Sequence, residues 1–359
     1  MPYPFGHNLK LDICGGSHDT EISMTLAGLP AGIVINVEAL RAFAARRAPG
    51  QNAWSTPRRE ADAPEFLSGV IVQEDGSLVT DGSPIHARIL NTNTRSSDYH
   101  LDIPRPGHAD LAARLKYGSD VDLRGGGHFS GRLTALTCLA GGICLQYLAT
   151  KGIAIGAHAH SIGGAYDMPY DAVSNDIPSY VDAQFPTLDR AAGEQMQARI
   201  AEVQAKGDSV GGTIECKITG VPAGLGEHMF RSVEGVISAA IWSIPAVKAL
   251  SFGAGFAVAD MTGSQNNDSI RTDGTRMYTE TNHAGGILGG MSYGMPILFT
   301  AAIKPTPSIA KEQQSVSLSR MENTTLTVQG RHDPCIVPRA VPVVEAAAAL
   351  AITDLILDT

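Results

Sequence analysis

No CxxC pair occurs in this chain. Its five cysteines (Cys14, Cys138, Cys144, Cys216 and Cys335) are odd in number and widely scattered, which excludes a disulfide framework and a thiolate zinc site as organising features. Positive charge is in deficit: the formal net charge is −9, which argues against a general nucleic-acid or membrane-surface partner. A long hydrophobic run is also missing. The uncharged stretch Leu133–Thr150 carries three threonines, a glutamine and a glycine pair, so it reads as a buried helix rather than a membrane span. The opening MPYPFGHNLKLD has neither the basic nor the apolar region of a signal peptide. Neither GxxxxGK[ST] nor a GxGxxG set between strand and helix is found, so a standard phosphate cradle is excluded. The expectation is a reduced, cytoplasmic, soluble protein without nucleic-acid or membrane partners.

Linkers, low-complexity tracts and fixed-period repeats are likewise missing. Although 359 residues allow about two domains, the chain reads as one domain over 1–359. Hydrophobic residues make up 43%, enough for a large core. Alternation predicts strands at Leu9–Ile13, Ala31–Val37, Ile153–His160 and Thr213–Thr219. Helices are expected at Glu38–Arg47, Leu133–Thr150, Arg190–Ala205 and Ser232–Ser243, with Pro245–Lys248 leading into a strand. A final helix should start at Pro342, with Glu345 in its first turn, and run to Leu357. Strands and helices mix without a βαβ period, so the fold class is α+β.

Glycine is abundant, with 39 residues, many paired or tripled, as at Gly125–Gly127 and Gly289–Gly290. Such clusters mark tight turns and backbone that approaches a ligand closely. Arginines crowd the first part of an acidic chain: Arg41, Arg46, Arg47, Arg58 and Arg59. Others stand beside glycine or histidine, namely Arg105 in RPGHAD, Arg124 and Arg132 around GGG, and Arg331 in GRHDPC. Arginine grips carboxylate and phosphate with a permanently charged fork, so this spread points to a focused site for a small polyanion. His18, His108, His128 and His332 each lie near a glycine, which favours an exposed loop imidazole over a core histidine. His158 and His160, two apart on a strand, could face one way like metal ligands; no adjacent carboxylate or cysteine completes the set, and no metal site is expected. In Lys304-Pro305-Thr306-Pro307-Ser308 two prolines hold the backbone extended while lysine and hydroxyls offer donors to a phosphate.

The ordered series RRAPG, STPRREAD, NTNTRSSDY, RPGHADLAARLKYG, DLRGGG, GDSVGG, SIPAVK, GSQNND, TNHAGGILGGMSYGMPI, KPTPSI and GRHDPCIVPRAVPVVEA resembles the chorismate synthases from about residue 6 to the C-terminus. The resemblance implies a β-α-β sandwich of two antiparallel four-stranded sheets with helices packed between them. It also implies a homotetramer with one site per subunit, and reduced FMN beneath the substrate. The implied reaction is the anti 1,4-elimination of phosphate from 5-enolpyruvylshikimate 3-phosphate, with NADPH a candidate reductant of the flavin. By the same resemblance His108 serves flavin N1, His18 is the acid near the departing phosphate, and Asp333 is the base that acts with flavin N5 on the C6 proton. Ser17, Arg46, Arg47, Arg105, Ser130 and Arg132 are expected against the substrate. His128, Gly289, Lys304, Pro305, Thr306, Pro307, Ser308 and Arg331 are expected against FMN.

The chain departs from the family pattern twice. GGSHD (Gly15–Asp19) stands where the family carries GESHG, placing a new carboxylate beside His18. GGGHFSGRLT (Gly125–Thr134) replaces the commoner GGGRSSARET, a variant found in a subset of bacterial members. Two other readings fit the same residues: a paralogue acting on a related enolpyruvyl or shikimate phosphate, and a flavin binder with little catalysis. Two histidines, a carboxylate and the arginine set speak against the latter, because a binder needs no proton-transfer groups.

Overall fold

The computed structural model describes residues 4–50, 54, 62–91, 102–182, 184–328 and 332–358; Arg58, Arg59 and Arg331 therefore lie outside the described residues. Two antiparallel sheets dominate. The first pairs, in spatial order, Lys10–Gly15, Glu21–Ala27, Ile85–Leu90 and Pro64–Ser68. The second orders Val247–Phe252, Ile297–Ile303, Gly212–Thr219, Ala154–Ile162 and Ala165–Tyr166. The expectation of four strands in each sheet thus needs correcting for the second, which has five. The extra strand is the two-residue Ala165–Tyr166, folded back through the Gly163-Gly164 turn onto Ser161–Ile162.

Seven α-helices are described: α1 (Val37–Ala45), α2 (Asp110–Tyr117), α3 (Thr134–Ala149), α4 (Arg190–Ala205), α5 (Val233–Trp242), the single turn α6 (Gly263–Asn266) and α7 (Val337–Ile356). Alternation along Gly212–Thr219 sends Ile214, Cys216 and Ile218, all fully buried, to one face, and α7 packs on this strand and on Ala154–Ile162. α3 lies along α7 and reaches Glu21–Ala27 of the first sheet, so helices separate the two sheets. α3 and its preceding turn (131–149) are long and apolar enough to cross a membrane. Here they are core: Leu136, Leu139 and Ile143 are at most 1% exposed. Close approach of the two central helices requires Gly141, where a Cβ would stand 2.4 Å from the Cα and Cβ of Ala346.

α7 begins five residues before the expected Pro342. The residue that suits its first turn is Pro338, whose missing N–H would be unpaired there in any case; Pro342 lies inside the helix. Near its end Asp354, fully buried, accepts hydrogen bonds from the backbone N–H of His7 (2.8 Å), Asn8 (2.7 Å) and Leu9 (2.9 Å), and pairs with Arg231 (2.9 Å). Those contacts fix the chain entering the first strand, whose far end delivers the His18 turn. The expected strand Ala31–Val37 shrinks to Val34–Ile35. Glu21–Ala27, Pro64–Ser68, Ile85–Leu90, Ile297–Ile303 and α2 were not anticipated.

Candidate active site

A cavity of about 1070 Å³ opens among the 16–19 turn, the 105–110 segment, the 124–134 loop, the start of α7 and the 304–308 segment. Among the expected residues its walls include Ser17, His18, Arg47, Arg105, His108, His128, Ser130, Arg132, Lys304, Thr306, Pro307, Ser308 and Asp333. Thirteen residues from six separate stretches therefore converge. Arg46, Gly289 and Pro305 do not line it, and Arg331 is outside the described residues.

The two adjacent arginines have different fates. Consecutive residues at a helix end point roughly 100° apart. Arg47 turns to the cavity, while Arg46 forks onto Glu345 (Nη2–Oε1 3.0 Å, Nη1–Oε2 2.6 Å) and donates to Tyr180 Oη (2.7 Å). Burial disfavours the Arg46 charge, but the Glu345 carboxylate overrides this and raises its pKa. The structure thus assigns Arg46 to tying the end of α1 onto α7. Gly289 sits in the turn between Ile287–Leu288 and Met291–Ser292, away from the cavity.

Arg47 and Arg132 are held by one carboxylate that sequence reading passed over. Asp62 Oδ2 accepts from Arg47 Nη1 (2.7 Å) and Oδ1 accepts from Arg132 Nη1; all three residues are buried. Arg47 also donates to Thr134 Oγ1 (3.1 Å) and the Gly131 carbonyl (3.2 Å). Burial, followed by the nearby Arg339 charge, lowers its pKa. Arg105 clamps Asp110 through Nε (2.7 Å) and Nη2 (2.8 Å). Burial opposes the Asp110 charge, yet the Arg105 bonds win and hold its pKa down.

His108 Nε2 lies 2.7 Å from Ser308 Oγ. Its pKa is lowered to about 4, first by burial and then by the charge of Arg105, so the ring is neutral at pH 7. Asp333 pairs with Arg339, a cavity-lining residue from the first turns of α7 that the sequence did not flag. Arg339 Nε also donates to the Arg47 carbonyl (2.9 Å), joining the two ends of the cavity. Lys304 donates to the Gly107 carbonyl, and burial, followed by the nearby Lys248 charge, lowers its pKa.

The glycine loop is shaped by His18. Gly125 has φ +62°, and a Cβ there would stand 2.5 Å from the His18 ring and 2.6 Å from Ser17 Oγ, so only glycine lets this loop close on the imidazole. The Ser17 N–H donates to the Gly127 carbonyl (3.1 Å). Asp19 is exposed and absent from the walls; its carboxylate folds back over its own turn, where a Cβ on Gly16 would be 3.3 Å from Oδ2. His128 stacks obliquely on Phe129, with ring centroids 4.0 Å apart.

Outside the cavity, the carboxylate that the His158/His160 pair was thought to lack is supplied by Glu215, with one ligand atom from each of the three within 4.8 Å of one another. Both ring nitrogens of His158 are committed, to Asp167 (3.0 Å) and Glu215 (2.9 Å), in a buried charge triad.

Four imidazoles (His18, His108, His128 and His332) and two carboxylates (Asp110 and Asp333), set among guanidinium and ammonium groups in one cavity, are the groups an enzyme uses to move protons around a small charged molecule. Comparison with known proteins makes this specific. The family model described as chorismate synthase matches residues 9–357. The chain is 44% identical to the chorismate synthase of Lancefieldella parvula, over 99% of this chain and 96% of that one. It is 42% identical to that of Korarchaeum cryptofilum, over 98% and 97%. A crystal structure of a chorismate synthase superposes with a TM-score of 0.76 at 29% identity, covering 98% of this chain and 93% of that one. The chain belongs to the chorismate synthase family, whose members are lyases acting on a phosphate-bearing substrate in the shikimate pathway.

Proposed function

We propose that this chain performs the anti 1,4-elimination of phosphate from 5-enolpyruvylshikimate 3-phosphate with FMN in its reduced form. The observation that carries the reading is the convergence of His18, His108 and Asp333 with Arg47, Arg105 and Arg132 on one cavity. Its volume of about 1070 Å³ lies at the top of the range usual for ligand sites, roughly 300–1,000 Å³, and so leaves room for a substrate beside a cofactor. The Thr306 hydroxyl oxygen is buried in this wall without a hydrogen-bond partner among the described residues. Beside Lys304 and Ser308, it fits an anionic or carbonyl-bearing cofactor. Reduced FMN, if bound, would be held by Lys304, Thr306 and Ser308 and would supply electron density to the reacting ring.

The remaining work falls to side chains. Arg47, Arg105 and Arg132 hold the phosphate and two carboxylates of the substrate. His18 gives a proton to the phosphate as the C3–O bond breaks and the leaving group takes the bonding electrons. Asp333, oriented by Arg339, receives the C6 proton; the C–H electrons form a C6=C1 bond while the ring C1=C2 pair shifts to C2=C3 and displaces the phosphate. His108, held neutral at pH 7 by burial and the Arg105 charge, would take up a proton when an anionic ligand arrives and hold it toward the flavin. The electron count closes without net oxidation, so reductant serves only to keep the flavin reduced, whether from NADPH at this protein or from outside. One continuous core shared by both sheets supports a single domain, and the family supports a cytoplasmic homotetramer.

This reading expects His108→Ala and Asp333→Asn each to lower kcat by about 10²-fold or more with KM little changed. Arg105→Ala should instead act chiefly on KM. Near-normal kcat in His108→Ala would remove His108 from the mechanism.

A further inference from the structure

Asn91, the first residue of the NTNTRSSDY segment, lies just beyond the strand Ile85–Leu90 and is not a wall of the cavity. Its side chain nevertheless touches both sides of the proposed chemistry. The amide Nδ2 donates to the Gly16 carbonyl (3.1 Å) and to the Asp19 carbonyl (2.8 Å), the two carbonyls that bracket Ser17-His18. Its Oδ1 accepts from Arg132 Nε (3.0 Å). The Asn91 backbone N–H donates to the Thr20 carbonyl (2.9 Å), pinning the same turn from behind. The amide orientation is dictated by its partners: reversing it would face an oxygen to two carbonyls and an NH₂ to a guanidinium.

We propose that Asn91 is a positioning residue, setting the His18 turn and the Arg132 guanidinium in one rigid frame so that proton donor and anion clamp address the same departing phosphate. This rests on the roles given above to His18 and Arg132. Within the turn the Asp19 N–H donates to the Gly16 carbonyl (3.2 Å), and the Asn91 amide adds two bonds across the same four residues. A displacement of about 1 Å in a reacting group can cost on the order of 10²-fold in rate. No residue other than asparagine offers two donors and one acceptor at this reach: aspartate would repel both carbonyls, and alanine would release them.

The test is a double-mutant cycle on the full chain under reduced-FMN assay conditions, with Asn91→Ala, His18→Ala and the pair. Asn91→Ala should lower kcat by about 10- to 100-fold and, in the His18→Ala background, by a clearly smaller factor that reflects Arg132 alone, because one of the two groups it positions is already gone. Asn91→Asp should be at least as impaired as Asn91→Ala despite its matching shape. Thermal midpoints of all variants separate misfolding from mispositioning. Should Asn91→Ala fail to fold, Asn91→Ser, which keeps one short donor, goes through the same cycle. Equal losses in both backgrounds, or an unchanged kcat in Asn91→Ala, would overturn the proposal and leave His18 untouched. A fully active His18→Ala would instead overturn the acid assignment, and the positioning role with it.

Discussion

Replacing Asp62 by alanine should expose how the anion site is held before substrate arrives. The carboxylate side chain is 5% exposed and lies between guanidiniums that are 6% and 4% exposed. Each pair at about 4 Å contributes roughly 4 kcal/mol at an effective dielectric near 20, set against a desolvation cost of several kcal/mol per ion. Removing the shared partner leaves two buried cations facing each other, a loss of about 3–5 kcal/mol. At roughly 2 °C per kcal/mol for a chain of this size, the thermal midpoint should fall on the order of 5–10 °C. Because an added anion can take the vacated place, phosphate should raise the midpoint of Asp62→Ala several degrees more than that of the unaltered protein, with chloride at matched ionic strength as control. Scanning calorimetry at pH 7 reads both effects. A midpoint within about 1 °C of the unaltered protein, or equal response to phosphate, would refute the view that Asp62 neutralises the two arginines.

Two further outcomes follow from burial. His108 has a folded pKa of about 4 against an ordinary 6.5, so the unfolded chain binds the proton first. Its contribution is present above pH 6.5 and is lost as pH falls toward 4; His108→Asn should flatten the pH dependence of the thermal midpoint in that window, and an unchanged slope would contradict the neutral ring. Cys138, Cys144 and Cys335 are buried and pushed up to about 12, burial likewise pushes Cys216 well above the usual thiol value, and Cys14 is exposed. A thiol reagent should therefore modify one cysteine quickly and four only on unfolding, and rapid loss of two or more thiols would contradict this packing.

What was legible in the sequence was what local pattern controls. Arg190–Ala205 has the predicted ends because Asp189 caps it, its side chain accepting from the Ala192 N–H (2.8 Å), and because the chain behind it turns at Lys206-Gly207. The RPGHAD, KPTPSI and GRHDPC segments announced the cavity because loops that bind ligands keep recognisable donors at fixed spacing. What failed depended on direction or on distant partners. Arg46 and Arg47 read alike, yet a helix end aims them apart, and only the fold supplies Glu345 to one and Asp62 to the other. Arg339 carried no signal as part of a helix, since its meaning comes from Asp333 six residues back. Asp19 next to His18 left two orientations open in the sequence, and in the fold it is exposed, with its carboxylate over its own turn rather than in the cavity wall. The strand Ala31–Val37 was overcalled because apolar residues there serve a loop packed on the core, and only Val34–Ile35 finds a pairing partner.

The central claim meets its most direct measurement in phosphate release from 5-enolpyruvylshikimate 3-phosphate under strict anaerobiosis, with FMN supplied either oxidised or reduced by dithionite. The account predicts catalytic turnover, one phosphate and one chorismate per substrate, with reduced FMN alone and without stoichiometric consumption of reductant. Equal turnover with oxidised FMN, or no phosphate release with reduced FMN, would contradict it.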